Sequence, residues 1–83
     1  MLLHKVEPVY PPLARQAHVQ GTVALAALID KKGNIERLEV ISGHPMLVPA
    51  AMDAVKQWKY KPYTYQGKRV AVETEIRVNF QFQ

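Results

Sequence analysis

The fold is decided by the C-terminal stretch from Val70 to Gln83, which reads VAVETEIRVNFQFQ. Even-numbered residues in this stretch are apolar apart from Thr74, and odd-numbered residues are polar or charged apart from Ala71. A period of two is typical of a β-strand with one buried face and one exposed face. At about 3.3 Å per residue the strand would be roughly 45 Å long, against ~17–20 Å for an ordinary strand.

So long a strand predicts an unpaired edge. A chain of 83 residues is too short to cover both edges of this strand along its whole length. Unpaired N–H and C=O groups on an edge either promote aggregation or accept another extended chain. The edge is therefore either an aggregation hazard or a docking site for a partner, and the function of the domain depends on which of the two it is.

The composition indicates one small globular domain. Hydrophobic residues make up 48% of the chain and charged residues 22%, which excludes a disordered chain. There is no cysteine, which excludes disulfides, thiolate chemistry and Cys-ligated zinc. The net charge of +4 permits contact with nucleic acid, anionic lipid or an acidic partner but selects none of them. No apolar run approaches the ~18 residues of a membrane span, and no signal-peptide pattern is present.

The residues upstream predict two helices and two further strands. The prolines of residues 7–12 predict an extended segment, followed by a short helix over residues 13–18 that Gly21 would end. Residues 22–29 form a strand that is apolar on both faces, and residues 35–41 form the returning strand. Gly33 can take a positive φ in the loop between them. A second helix from Pro49 carries an apolar stripe formed by Leu47, Ala51, Ala54, Val55 and Trp58.

This order of elements, α-β-β-α-β, predicts an α+β fold. The first two strands pair as a hairpin, and the second helix carries the chain back so that the third strand pairs antiparallel to the first. The result is a three-stranded antiparallel sheet of order 2-1-3 with both helices on one face. The first strand is then central, which agrees with its apolar character, and the third strand is an edge.

The motifs of this chain, taken in order, resemble the TonB C-terminal domain family. The resemblance covers the chain from Val6 onward. It is carried by Tyr10-Pro11, Gly21-Thr22-Val23, Ile29-Asp30, Gly33, Ser42-Gly43-His44-Pro45, Ala50-Ala51, Ala54-Val55, Trp58-Lys59-Tyr60-Lys61-Pro62, Gly67 and Val78-Asn79-Phe80. It implies one TonB-like domain over residues 6–83, with residues 1–5 as a disordered or artificial lead-in.

The resemblance implies a periplasmic module of an energy transducer. Members are anchored in the inner membrane by an N-terminal helix, absent from this sequence, and are driven by the proton-powered motor proteins ExbB and ExbD. Their C-terminal domain binds the TonB box, a short extended segment of an outer-membrane transporter, by strand addition, and so couples the proton-motive force to active uptake.

The predicted partner-binding residues lie in two segments. The last strand contributes the unpaired edge, and the resemblance implies that the segment before the first helix lies near the bound box. The residues are Glu7, Pro8, Val9, Tyr10, Val72, Glu73, Thr74, Glu75, Ile76, Arg77 and Val78. The same edge could accept a second copy of the chain, so we also expect a homodimer through the last strand.

The sequence is also compatible with two other classes of binding protein. One is a related envelope-spanning scaffold module, TolA-like, that is not dedicated to transport. The other is a small basic nucleic-acid-binding domain, because lysines and tyrosines alternate around residues 56–69. No RNP, KH or helix-turn-helix pattern accompanies them, so nucleic acid is not a predicted partner.

The sequence predicts no catalytic, cofactor or metal site. His4, His18 and His44 lack the spacing of a ligand motif. Ser42-Gly43-His44 lacks a nucleophile elbow, and neighbours in sequence seldom meet as nucleophile and base. Trp58 is predicted to be core and Tyr60 to be half-buried.

Overall fold

The computed structural model describes residues 2–81, and its architecture is α+β, as the sequence predicts. Its elements are β1 (Leu2–His4), α1 (Pro12–Gln16), β2 (Gly21–Ile29), β3 (Ile35–Ser42), α2 (Val48–Val55), β4 (Lys59–Tyr60), β5 (Tyr63–Tyr65), β6 (Lys68–Val70) and β7 (Val72–Phe80). Neither helix of this part of the chain has the length and apolarity needed to cross a membrane.

The central sheet has the strand order β3-β2-β7, with both pairs antiparallel. The β2–β7 ladder runs without interruption from Gly21 opposite Phe80 to Ile29 opposite Val72. The β2–β3 ladder contains two register shifts. The predicted set of three strands is incomplete, because β1 pairs with β4 and β5 pairs with β6 in two further antiparallel pairs.

The prediction of one continuous strand from Val70 to the C-terminus is wrong in its length. β7 ends at Phe80 and begins at Val72, opposite the last residue of β2, Ile29. Val70 belongs instead to β6, which pairs with β5, and Ala71 separates the two strands. Sequence alternation marks which side chains are buried, whereas a strand is only as long as the partner available to it. Residues 82 and 83 lie outside the described part.

Residues 2–4 are ordered, although the sequence predicts a disordered or artificial lead-in over residues 1–5. These residues form β1, in which Leu2 lies opposite Tyr60 and His4 opposite Lys59. Leu2 is half-buried and packs against the core, and so does Val6. The Trp58 indole Nε1 donates a hydrogen bond to the Val6 carbonyl at 2.9 Å, which holds the N-terminal segment across the domain.

The first helix is shorter than predicted and does not need Gly21 to end it. α1 stops at Gln16, and His18 takes a left-handed conformation with φ 56°. This turn lets the Val19 N–H donate to the Ala14 carbonyl at 2.8 Å. Histidine and other polar residues adopt this conformation at moderate cost, so a helix can end without glycine.

The core lies on one face of the central sheet. β2 contributes Val23, Leu25 and Ala27, and both helices add buried residues to the same cluster. All five residues of the stripe predicted for the second helix are buried, namely Leu47, Ala51, Ala54, Val55 and Trp58. The helix is shorter than the stripe, because α2 spans only Val48–Val55 and Trp58 lies beyond its end. The opposite face of β2 carries Ala24, Ala26 and Leu28, and its neighbours across the two ladders include the exposed charged residues Arg37, Glu39, Glu73 and Glu75.

Candidate functional site

The outer edge of β7 faces no strand within residues 2–81, because β7 pairs with β2 alone. The direction of the main-chain groups can be followed from the β2–β3 turn. There the Asp30 N–H donates to the Asn34 carbonyl, on the β3 side, at 2.9 Å. Successive residues of a strand direct their main-chain groups to opposite edges, so those of Ile29 face β7.

The alternation continues across the pair onto β7. Ile29 lies opposite Val72 in an antiparallel register that has no shift. Val72 therefore directs its main-chain groups toward β2, and every second residue after it does the same. The N–H and C=O groups of Glu73, Glu75 and Arg77 face away from β2, toward the free edge.

The side chains of these three residues lie on the face of the sheet opposite the core and are exposed. The Arg77 guanidinium Nε donates to the Glu75 carboxylate at 2.7 Å, which places a cation and an anion side by side along the edge. On the core face Ile76 and Val78 are buried, whereas Thr74 is exposed and Val72 half-buried. The strand is thus anchored toward its C-terminal end and more accessible at its start.

The N-terminal part of the predicted site is held by Tyr10. Its hydroxyl donates to the Val19 carbonyl, and its ring packs edge-on against Phe80 with 5.5 Å between centroids. The Arg15 guanidinium lies 5.4 Å from the centroid of the same ring. Tyr10 therefore connects the extended segment to α1 and to the end of β7.

The Tyr10–Phe80 contact joins the N-terminal segment to the end of β7, two residues beyond the predicted stretch Val72–Val78. Phe80 was not among the predicted site residues, although its place at the end of the alternating pattern was a usable signal. Glu7 and Val9 instead line a cleft of about 320 Å³ against α2, where Ala50 and Asp53 form the other wall. Val9 is 79% exposed, so its apolar surface is available for contact.

The titratable groups belong to turns and to the core boundary. The Asn34 and Lys32 N–H groups donate to the Asp30 carboxylate, which lowers the pKa of Asp30 below its usual value of 3.8. Burial raises the pKa of the Tyr60 hydroxyl. His44 accepts a hydrogen bond from the Met46 N–H at 3.1 Å, in the turn before α2. Within residues 2–81 no cluster of His, Asp and Glu side chains is placed to hold a metal ion.

Comparison with known proteins gives a consistent result. Residues 6–82 match the family described as Gram-negative bacterial TonB protein C-terminal. The chain is 33% identical to Protein TonB of Vibrio cholerae over 81 residues, covering 95% of this chain and 33% of that protein. It is 40% identical to Protein TonB of Xanthomonas campestris over 75 residues, covering 88% of this chain and 34% of that protein. The chain thus spans about a third of the length of these relatives.

The fold agrees with this match. The structure is similar to the solution NMR structure of the Pseudomonas aeruginosa TonB CTD, with a TM-score of 0.82 and 26% sequence identity. The similarity covers 100% of this chain and 86% of that one. On the evidence of the matched residues and of the fold, this chain belongs to the TonB C-terminal domain family.

Proposed function

We propose that this domain binds the TonB box of an outer-membrane transporter by adding it as a strand to the free edge of β7. The observation that carries the proposal is the direction of the main-chain groups of Glu73, Glu75 and Arg77, which are turned away from β2. An extended peptide can pair with such an edge through main-chain hydrogen bonds. Membership in the family gives the class of partner.

Selectivity would come from the side chains next to the added strand. Glu75 and Arg77 present opposite charges at neighbouring positions on the exposed face. A box with complementary charges in register would be favoured, and like charges directly opposite would be disfavoured. Exposed Val9 and Glu7 of the N-terminal segment would contact the bound peptide or the chain that follows it.

The whole protein would work in the periplasm as an energy transducer. An N-terminal helix would anchor it in the inner membrane, and the ExbB and ExbD motor would act through that region, so that proton-motive force drives active uptake. Tension arriving from the N-terminal side would load β1, its pairing with β4, and the Val6–Trp58 hydrogen bond. These contacts tie the N-terminal segment to β4 and to Trp58 of the core, and β4 reaches the β2–β3 turn through the bridge between Lys59 and Asn34.

An NMR titration tests the binding site. A peptide with a TonB box sequence, added to isotope-labelled domain, should shift amide signals from Val72 to Val78 and near Tyr10. Two proline variants sharpen the test. Glu75→Pro removes a donor that faces the free edge and should abolish peptide binding while the domain stays folded.

Thr74→Pro is the matched control, because it removes a donor that faces β2. It should lower the melting temperature by disrupting the β2–β7 ladder. If the Glu75→Pro domain stays folded and binds the peptide with parental affinity, strand addition at β7 is wrong. Shifts confined to β3, the other edge of the sheet, would also contradict the proposal.

A further inference from the structure

The geometry points to a second interaction surface, in which the β5–β6 hairpin docks on an anionic phospholipid surface. This surface is separate from the edge of β7, and the inference does not depend on strand addition. It is carried by the shape of the hairpin, by the placement of two tyrosines and by the distribution of charge.

The hairpin projects from the domain and packs chiefly on itself. Gln66 and Gly67 form its turn with φ values of 52° and 77°, the two positive values of a tight two-residue hairpin turn. The register places Tyr63 opposite Val70 and Tyr65 opposite Lys68. Because these pairs alternate with the pair of Thr64 and Arg69, both tyrosines lie on one face.

Both tyrosines are exposed, Tyr63 to 54% and Tyr65 to 61%. Tyrosine combines an apolar ring with a polar hydroxyl and is enriched where proteins meet the membrane–water boundary. Lys68 lies beside Tyr65 on the same face, so one surface offers aromatic area next to a cation. A lysine can reach lipid phosphates while the neighbouring rings lie at the depth of the headgroups.

More than the whole net charge of the chain lies in this region. Residues 54–72 contain five Lys and Arg residues and no Asp or Glu, against a net charge of +4 for the complete sequence. Lys56 pairs with Asp53 at 3.1 Å, and the Lys59 ammonium donates to the Asn34 side chain at 2.7 Å. Lys61, Lys68 and Arg69 are exposed and form no ion pair with any residue from 2 to 81.

A bilayer fits these features better than an acidic protein does. A hairpin that projects is convex, and it can settle on a deformable headgroup layer without needing a shaped cleft in the partner. Anionic lipids supply many phosphates to which several separate cations can be matched at once. A protein partner would have to present its own concave, acidic and aromatic-binding surface.

The hairpin also lies next to the start of the docking edge along the chain. Ala71 alone separates β6 from β7, so the hairpin and the start of β7 are adjacent in space. A domain held to a bilayer by the hairpin would present Val72 and the following residues close to the membrane surface. Under the proposed function, this would bring the docking edge near the transporter segment that it captures.

Vesicle co-sedimentation tests the inference. The probe is a set of phosphatidylcholine vesicles with and without roughly one-third phosphatidylglycerol, at several salt concentrations. We expect binding to the anionic vesicles alone, weakening as salt rises. Lys68→Glu should lower the partition coefficient about tenfold, because the cation beside Tyr65 is replaced by an anion that the phosphates repel. Tyr63→Ser with Tyr65→Ser should also lower it, at unchanged charge.

Arg37→Glu is the matched control, since Arg37 is an exposed strand arginine on β3 and the charge change is identical. It should alter vesicle binding by no more than about twofold. Circular dichroism and thermal melts of every variant check that the fold is kept, independently of any peptide binding. An equal loss for Arg37→Glu would overturn the inference, as would unchanged binding of the tyrosine variant. Absence of vesicle binding, with salt-dependent binding of polyglutamate at the hairpin, would assign the surface to an acidic protein instead.

Discussion

At the scale of the residue, Gly33 meets two requirements at once. Its turn needs a positive φ, and its contact with β4 leaves no room for a side chain. Its φ of 87° is the positive value that a glycine in a hairpin turn supplies. A Cβ built at this position would lie 1.9 Å from the Tyr60 carbonyl oxygen, so the turn is also packed against β4. The Tyr60 N–H donates to the Gly33 carbonyl at 2.8 Å and closes the contact.

Gly33→Ala and Gly67→Ala separate the two requirements. Both glycines have a positive φ, but an added Cβ at Gly67 meets no atom within 4 Å. Gly67→Ala should lower the free energy of unfolding by about 1–2 kcal/mol, the cost of a left-handed alanine. Gly33→Ala should cost about 1–3 kcal/mol more, because β4 must move. Urea denaturation of the two variants measures the difference. Equal free energies of unfolding would show that β4 moves away from residue 33 at no cost.

At the scale of the element, the partner in space decides which segments become strands. Residues 2–4 carry no strong strand pattern, yet they form β1 because Lys59 and Tyr60 offer them an edge. Val70 continues the alternation of β7 in sequence but pairs with Tyr63. Burial against Leu2 and the core also explains the raised pKa of the Tyr60 hydroxyl.

Leu2→Ser and Leu3→Ser test the contribution of β1. Leu2 packs against the core, whereas Leu3 is 58% exposed. Leu2→Ser should lower the free energy of unfolding by about 1–2 kcal/mol through lost apolar burial. Leu3→Ser should change it by less than ~0.5 kcal/mol. Thermal melts of both variants check this, and equal melting temperatures would place β1 outside the cooperative unit.

At the scale of the whole molecule, the domain is so thin that the edges of its central sheet remain uncovered. The Cα atoms extend over 49 × 21 × 16 Å, and the smallest dimension accommodates the sheet and one covering layer. Within residues 2–81 both outer strands, β3 and β7, keep one edge unpaired. A molecule of this shape has surface to offer an extended partner but no deep interior in which to enclose a ligand.

We expect the free edge of β7 also to support a homodimer that forms as concentration rises. Glu75 and Arg77 would lie opposite each other in a suitable antiparallel register. Sedimentation velocity over a range of concentrations should show a monomer–dimer equilibrium that box peptide shifts toward monomer. Glu75→Pro should weaken the dimer and peptide binding together. A parent that stays monomeric at every concentration, or a dimer unaffected by Glu75→Pro, would contradict a shared edge.

The α+β class, the apolar stripe that includes α2, the burial of Trp58, and the apolar and polar faces of β7 can all be predicted from the sequence. These features are local, because side-chain periodicity directly reports which face of an element is buried. The sequence does not predict the ends of β7, the presence of β1, the contact between Phe80 and Tyr10, or which amides of β7 face outward. Each of these depends on a partner distant in the chain, and periodicity carries no information about distant partners.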